Sequence, residues 1–241
     1  MPLQSDVSSR HRGYPSLVTL LLLVRHALTD VTGKRLSGST PGIHLSEQGR
    51  IQAKDLAERL APVRLDAVYA SPLERCVETA EAIAETRDLA VDRLAALEEV
   101  GYGAWTGKSF AQLTRTALWK KVQHAPSSVR FPGGETLVEA QVRVVTALEA
   151  LAARHPKATI AVVSHADIIR LSLAHFIGVH IDLFQRLIVS PASVSAVLLG
   201  DRIPRILRMN DTGTLADLAS RTRQNESTRA RTPRPRDGTR P

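Results

Sequence analysis

Short unbroken runs of hydrophobic residues recur along the chain, a pattern that is typical of buried β-strands. The clearest runs are residues 18–24, 66–70, 159–163, 193–199 and 203–209, with a weaker one at residues 90–95. Gly200 and Asp201 separate the last two strong runs, and this pair of turn residues predicts a β-hairpin.

Between these runs, hydrophobic residues return every three or four positions, as on a helix with one buried face. The helical segments predicted in this way are residues 47–60, 71–86, 110–123, 135–155 and 167–177. In the second of them, Ser71 is predicted to be the N-cap, with Pro72 in the first turn and Glu74 three positions after the cap. Strands that alternate with helices predict an α/β fold, in which helices flank both faces of a mainly parallel central sheet.

The composition fits one folded domain. The chain has 241 residues, of which 43% are hydrophobic and 23% are charged. This balance supports a hydrophobic core and excludes global disorder. Cys76 is the only cysteine, so a disulfide within the chain is excluded and a cysteine-based zinc site is disfavoured.

The net charge of +8 is concentrated towards the C-terminus. Residues 220–241 hold seven arginines and two acidic residues, a net charge of +5 that leaves +3 for the rest of the chain. We therefore predict a disordered Arg/Pro-rich tail over residues 219–241, a disordered extension over residues 1–16 and a single α/β domain over residues 17–218. Because most of the excess charge lies outside the predicted domain, no specific nucleic-acid partner is expected.

The hydrophobic run at residues 17–24 raises the question of a membrane or a leader segment. It is far shorter than the ~20 apolar residues that a membrane-spanning helix needs. Basic residues precede it, as in a signal peptide, but Arg25 and His26 follow where a small-residue cleavage site would stand,. We interpret the run as a buried strand, and we expect a cytoplasmic protein without a membrane partner.

Polar side chains follow three of the predicted strands, at the points where those strands end. Arg25 and His26 follow the first, a segment from Ser71 to Arg75 follows the second, and His165 comes soon after the run at residues 159–163. In open parallel sheets, ligands bind in the crevice at the carboxyl ends of the strands. The pattern therefore places two histidines and two arginines around one crevice.

This set of side chains is suited to phosphoryl transfer. The guanidinium group of arginine matches the oxygens of a phosphate in a bidentate way. A neutral histidine can accept a phosphoryl group, and a second histidine, if protonated, can donate to the charge that develops on that group. The residues therefore indicate transfer through a covalent histidine, a reaction that requires no metal.

Phosphoryl transfer also requires an acid for the leaving oxygen and a base for the incoming water. Glu98 and Glu99 lie in a segment rich in glycine and aromatic residues, residues 97–107. A carboxyl group in such a segment can be partly desolvated, which raises its pKa towards neutrality. The spacing alone does not choose between the two glutamates.

Six motifs in this chain resemble those of the histidine phosphatase superfamily, in its phosphoglycerate-mutase-like branch with an Arg-His-Gly signature. They occur in the same order as in that family and span most of residues 20–209. The motifs are LVRHALT at residues 23–29, HLSEQG at residues 44–49, SPLERCVETA at residues 71–80, LEEVGYGAWTG at residues 97–107, FPGGE at residues 131–135 and VSH at residues 163–165. One such motif alone would be weak evidence, but the ordered set is specific.

The resemblance implies a phosphoglycerate-mutase-like fold and a phosphatase that acts on a small-molecule phosphomonoester. It implies that His26 becomes a phosphohistidine and that Glu99, rather than Glu98, is the acid and base. It also implies residues that hold the phosphoryl oxygens, namely Arg25, Arg75 and His165, with Thr29 as a further donor. No cofactor and no metal are implied. The expected partner is a small phosphorylated substrate, and the expected state is a monomer or a homodimer.

Two residues depart from the family pattern. Ala27 stands where relatives usually have glycine, and Thr32 stands where many have asparagine. The methyl group of Ala27 is expected either to crowd the phosphate loop or to fit there because the backbone needs no positive φ. Both departures put the rate and the substrate geometry in question.

Other functions remain open on the sequence alone. A phosphomutase of the phosphoglycerate mutase type would share the phosphohistidine step, but the short interval from Glu99 to His165 indicates a small cap that admits water. A catalytically weak binding or regulatory member of the family has only Ala27 and Thr32 in its favour. A protein that binds nucleic acid through its tail, and a metal-dependent hydrolase, are the remaining alternatives.

Overall fold

A computed structural model describes residues 18–200 and 203–213 of the chain. Its strands are β1 (Val18–Arg25), β2 (Ala67–Ala70), β3 (Val91–Arg93), β4 (Thr159–Ser164), β5 (Val194–Gly200) and β6 (Arg205–Asp211). They form one sheet in the order β3-β2-β4-β1-β5-β6. The first four strands in this order are parallel to one another, β5 pairs antiparallel with β1, and β6 pairs antiparallel with β5. The prediction of an α/β fold with a mainly parallel sheet is confirmed.

Helices cover both faces of this sheet. They are α1 (Glu47–Leu60), α2 (Glu74–Glu85), α3 (Phe110–Leu113), α4 (Ala117–His124), α5 (Leu137–Arg154) and α6 (Ala166–Phe176). Short 3₁₀ helices occupy Ala95–Leu97, Gly103–Trp105, Pro126–Ser128 and Ile181–Arg186. The described residues contain no helix with the length and hydrophobicity needed to cross a membrane.

Alternate residues of β1 enter two different hydrophobic cores. Leu21 and Leu23 belong to the core that contains the buried residues of α5 and α6. Leu22 and Val24 belong to the core formed with α1 and α2. Successive side chains of a strand point to opposite faces of the sheet, so an unbroken hydrophobic run is what a strand covered on both faces requires.

The register of the parallel strands brings three polar residues together at the carboxyl edge of the sheet. Arg25 of β1 pairs with Ser164 of β4, so the residues that follow them, His26 and His165, are neighbours. Ser71 follows β2 and donates its backbone N–H to the carbonyl of Val163 in β4, at 2.9 Å. These three residues are separated by up to about 140 positions along the chain, and the sheet alone makes them adjacent.

Two helix predictions are wrong in detail. The segment at residues 110–123 is not one helix, because Thr116 caps a second helix by accepting a hydrogen bond from the N–H of Trp119. Ser71 is not the N-cap of α2; that position is taken by Leu73, which makes no side-chain cap. The Ser71 hydroxyl is instead used by the site described below.

Some predictions concern residues outside those that the structure describes. The extension at residues 1–16, the tail at residues 219–241 and the hairpin residue Asp201 are among them. The two strands of that hairpin, β5 and β6, do pair in antiparallel fashion.

The first turn of α1 is packed directly against the loop that follows His26. Gly49 lies so close to this loop that a Cβ atom there would be 1.9 Å from the carbonyl oxygen of Leu28. Ser46 caps the helix and donates its backbone N–H to the same carbonyl, at 3.0 Å. The glycine is therefore needed for close approach of two backbones.

Gly49→Ala is expected to lower the free energy of unfolding by about 2–4 kcal/mol because the backbones must separate. The direction of the change in the free energy of unfolding is informative, because the same substitution inside an unconstrained helix raises that free energy by up to ~1 kcal/mol. Urea denaturation of the variant measures it, with Lys54→Ala on an exposed position of α1 as the control. A Gly49→Ala variant as stable as the unchanged protein would contradict this account.

Candidate functional site

Most of the predicted site residues line one cavity. Its volume is about 470 Å³, within the range typical of small-molecule sites. Five of the six predicted site residues line it, namely Arg25, His26, Thr29, Arg75 and Glu99. They come from the end of β1 and the loop after it, from the first turn of α2 and from the loop that follows β3. The cavity thus lies at the carboxyl edge of the sheet.

His26 is held in one tautomer and is kept neutral. Its Nδ1 lies 2.7 Å from the carbonyl oxygen of Ala27. Because a carbonyl can only accept, Nδ1 carries the proton and Nε2 has a free lone pair. Burial, and then the positive charges of Arg25 and Arg75, lower the pKa of His26 to about 3. The imidazole is therefore a neutral base near pH 7, as a nucleophile must be.

His165 lies directly behind His26. The two rings meet edge to face, with centroids 5.3 Å apart. His165 is fully buried, and its Nε2 lies 2.9 Å from the hydroxyl of Ser71. Burial, followed by the charge of Arg75, holds its pKa well below the usual range. Since the side chain contacts His26 rather than lining the cavity, its contact with phosphate stays a prediction.

Cys76 packs against the same ring. Its Sγ lies 3.4 Å from Nε2 of His165, and the side chain is fully buried. Burial raises the pKa of the thiol, so Cys76 is a neutral residue that packs against the ring and not a reactive thiolate.

Backbone carbonyls orient both arginines. Nη1 of Arg25 donates to the carbonyl of Val189 at 2.7 Å, and Nη2 of Arg75 donates to the carbonyl of Gly38 at 2.7 Å. Arg75 is only 1% exposed. In the described part of the chain, the buried Nε atoms of both arginines have no hydrogen-bond partner. Two positive groups with unused donors thus border the cavity beside His26.

Glu99 supplies a carboxyl group to the cavity wall. Its Oε1 accepts a hydrogen bond from the N–H of Val100 at 3.0 Å. Burial, and then the negative charge of Asp167, raise the pKa of Glu99 to about 7. At neutral pH this carboxyl group therefore both gives and takes a proton readily. Glu98, which the spacing had left open, does not line the cavity.

The two departures from the family pattern have a simple structural basis. Ala27 is buried in the core beneath the loop, and its backbone does not adopt a positive φ. Among the described residues other than glycine, positive φ occurs at Asp88, Lys157, Ala192 and Asn210. The hydroxyl of Thr32 lies 2.9 Å from that of Thr29, and both residues line the cavity. The methyl group of Ala27 is therefore accommodated without backbone strain.

A network at the cavity wall was not predicted from the sequence. The hydroxyl of Tyr102 donates to Oδ2 of Asp167 at 2.7 Å, and Nη1 of Arg170 donates to Oδ1 at 2.8 Å. All three residues line the cavity. One signal was available: Asp167 follows His165 by two positions and lies in the first turn of a helix, where an acidic side chain is favoured.

Aromatic side chains from two short helices also line the cavity. Phe110 of α3 and Trp119 of α4 are partly exposed there. The rings of Trp105 and Trp119 are stacked with centroids 6.2 Å apart. Arg35 is a further lining residue.

Other polar groups lie away from this cavity. His44 is hydrogen-bonded to Glu78 and lines a separate surface groove beside α1 and α2. Within the described residues, no group of three or more His, Cys, Asp or Glu side chains is arranged to hold a metal ion.

Comparison with known proteins agrees with this geometry. The sequence profile of the histidine phosphatase superfamily (branch 1) matches residues 21–212. Phosphoserine phosphatase 1 of Hydrogenobacter thermophilus is 33% identical over 199 residues, which cover 82% of this chain and 94% of that protein.

Two solved structures extend the likeness to the fold. Bacillus stearothermophilus YhfR gives a TM-score of 0.75 at 26% identity, covering 80% of this chain and 97% of that one. A mycobacterial glucosyl-3-phosphoglycerate phosphatase in complex with VO3 gives a TM-score of 0.72 at 26% identity, covering 79% of this chain and 98% of that one. The resemblance predicted from the six motifs is confirmed, and so is the fold class.

Proposed function

This chain is a histidine phosphatase of branch 1 of the superfamily, and we propose that it hydrolyses a small-molecule phosphomonoester through a phosphohistidine on His26. The observation that carries the proposal is that a neutral imidazole and two guanidinium groups, of which that of Arg75 is buried, line one cavity. A phosphate bound beside these two guanidinium groups offsets their positive charge. Positive charge held out of water without a counter-ion is costly, and an anionic ligand removes that cost.

In the first step, the lone pair on Nε2 of His26 attacks phosphorus. The bond from phosphorus to the leaving oxygen breaks, and its electron pair takes the proton of Glu99. Arg25 and Arg75 hold the phosphoryl oxygens and offset their charge as the transition state forms. Thr29 is proposed as a further hydroxyl donor. The step leaves a phosphohistidine and a Glu99 carboxylate.

In the second step, a water molecule attacks the phosphohistidine. The Glu99 carboxylate takes a proton from that water, and the electron pair of the phosphorus–nitrogen bond returns to Nε2 of His26. Inorganic phosphate leaves, and both residues regain their starting protonation. The proton that Glu99 gives in one step is thus recovered in the other, which a pKa of about 7 permits,.

Hydrolysis is favoured over a mutase reaction because the cap over the cavity is small. It includes the two short helices α3 and α4, of 4 and 8 residues, so water has access to the phosphohistidine. The relatives reported above that carry an activity in their names are called phosphatases. Small phosphorylated compounds are therefore the proposed substrates. The reaction as written uses no metal and no cofactor.

Trapping the covalent intermediate tests this proposal. Rapid acid-free quenching after mixing with a ³²P-labelled aryl phosphate is expected to leave label on the protein, stable to alkali and labile to acid, as for a phosphohistidine. The label is expected on the peptide that contains His26.

A chase separates hydrolysis from transfer. Excess unlabelled alcohol, such as glycerate or serine, is added before the intermediate decays, and the products are separated. Label recovered as inorganic phosphate supports the phosphatase, and label recovered on the alcohol identifies a mutase. Absence of any protein-bound label, with substrate still consumed, would exclude the covalent mechanism.

A further inference from the structure

Asp167 is the one carboxylate on the cavity wall to which the proposed reaction assigns no role. It lies in the first turn of α6, two positions after His165, and it lines the cavity with Glu99 and Arg25. An acidic side chain beside a phosphate site repels the substrate, so its presence calls for a function.

The side chain of Asp167 is held in one orientation by two neighbours. Tyr102 donates to one of its oxygens and Arg170 to the other. Arg170 is fixed in turn, because its Nε donates to the carbonyl of Leu187 at 2.9 Å. The N-terminal turn of α6 favours a negative charge on this side chain.

Asp167 and Glu99 line the same cavity, and the segment that carries Glu99 also carries the residue that holds Asp167. Tyr102, which holds Asp167, is only three positions after Glu99 and is buried. Burial is the largest cause of the raised pKa of Glu99, and the charge of Asp167 is the next, against opposing effects of Arg75 and Arg25. The ionisable groups that line the cavity are Arg25, His26, Arg35, Arg75, Glu99, Tyr102, Asp167 and Arg170.

We propose that Asp167 is a positioning residue for the proton donor, whose fixed charge keeps the Glu99 carboxyl protonated until the leaving oxygen takes that proton. The inference rests on the proposed function, since it assigns Asp167 a part in the first step. Tyr102 and Arg170 hold Asp167 in place. A direct role in binding a cationic leaving group is disfavoured because Asp167 already forms an ion pair with Arg170.

The test compares Asp167→Asn with the unchanged protein on two substrates. An alkyl phosphate has a poor leaving group that needs the proton of Glu99, whereas 2,4-dinitrophenyl phosphate has a leaving group that departs without it. At pH 7.5, kcat/KM is expected to fall about tenfold on the alkyl phosphate and less than about threefold on the dinitrophenyl ester. In the plot of kcat/KM against pH for the alkyl phosphate, the fall in kcat/KM at high pH (the high-pH limb) is expected to occur about one pH unit lower.

Two further variants keep the result interpretable. Tyr102→Phe removes one hydrogen bond and keeps the charge, so its high-pH limb is expected to move by less than half as much as that of Asp167→Asn. Arg170→Gln removes the neighbouring positive charge, and its limb is expected to move up. Should Asp167→Asn fail to fold, as judged by its thermal melt, the direction of the shift in Arg170→Gln decides the matter.

Equal losses on both substrates, or an unmoved high-pH limb, would overturn the assignment of Asp167. A limb that moves down in Arg170→Gln would do the same. Failure of the underlying function looks different, because the unchanged protein would then hydrolyse neither ester and would form no phosphohistidine.

Discussion

His26→Ala is expected to lower kcat for aryl phosphate hydrolysis by on the order of 10⁴-fold or more, because the nucleophile is lost and nothing replaces it. His165 lies behind His26 and is hydrogen-bonded to Ser71, so it is not placed to attack in its stead. The binding of phosphate by Arg25 and Arg75 is expected to survive. The variant should therefore retain affinity for inorganic phosphate while losing turnover.

The measurement is a steady-state assay in excess chelator, with the unchanged protein and His124→Ala beside His26→Ala. His124 is exposed at the end of α4, and among the described residues it is hydrogen-bonded only to the carbonyl of Lys120. His124→Ala is therefore the same substitution as His26→Ala, made outside the cavity. Full activity of His124→Ala and loss in His26→Ala are expected. Substantial turnover in His26→Ala, or loss of activity with chelator in the unchanged protein, would refute the metal-free phosphohistidine mechanism.

Glu99→Gln is expected to give the second-largest effect, a fall in kcat/KM of about 10²–10³-fold on an alkyl phosphate at pH 6. The amide keeps the shape of the side chain and cannot donate a proton to the leaving oxygen. On 2,4-dinitrophenyl phosphate, whose leaving group departs without a proton, kcat/KM of the same variant is expected to fall far less.

The pH dependence of kcat/KM gives a second, independent test of Glu99. With a pKa raised to about 7, Glu99 is protonated below that pH and loses its proton above it, so kcat/KM of the unchanged protein falls as the pH rises through 7. The variant has no proton to lose there, and its profile should lack this limb. His26, with a pKa of about 3, stays neutral throughout the range and adds no limb near its ordinary pKa.

Glu98→Gln is the matched control, since it makes the same change one position away and outside the cavity. Its kcat/KM is expected to stay within about twofold of the unchanged value, as for a substitution remote from the reacting atoms. If Glu98→Gln lost activity and Glu99→Gln kept it, the assignment of the acid would have to be exchanged.

The sequence by itself determined the parts that depend on local pattern. An unbroken apolar run followed at once by Arg25 and His26 specifies a strand end, and parallel strands present their carboxyl ends at one edge. From that rule the meeting of His26, Arg25 and Arg75 could be predicted. The choice of Glu99 over Glu98 came from the motif, because adjacent residues have nearly the same local environment in a sequence.

Only the tertiary structure decided the contacts between distant loops. The hydrogen bond from Tyr102 to Asp167 joins residues that are 65 positions apart in the sequence, and no periodicity links those two residues. Ser71 illustrates the same limit: its local pattern predicts a helix cap, yet β2 and β4 pair in a register that gives its hydroxyl to His165 instead. Local pattern reflects the backbone's own preferences, whereas partners across the fold follow from how the elements pack.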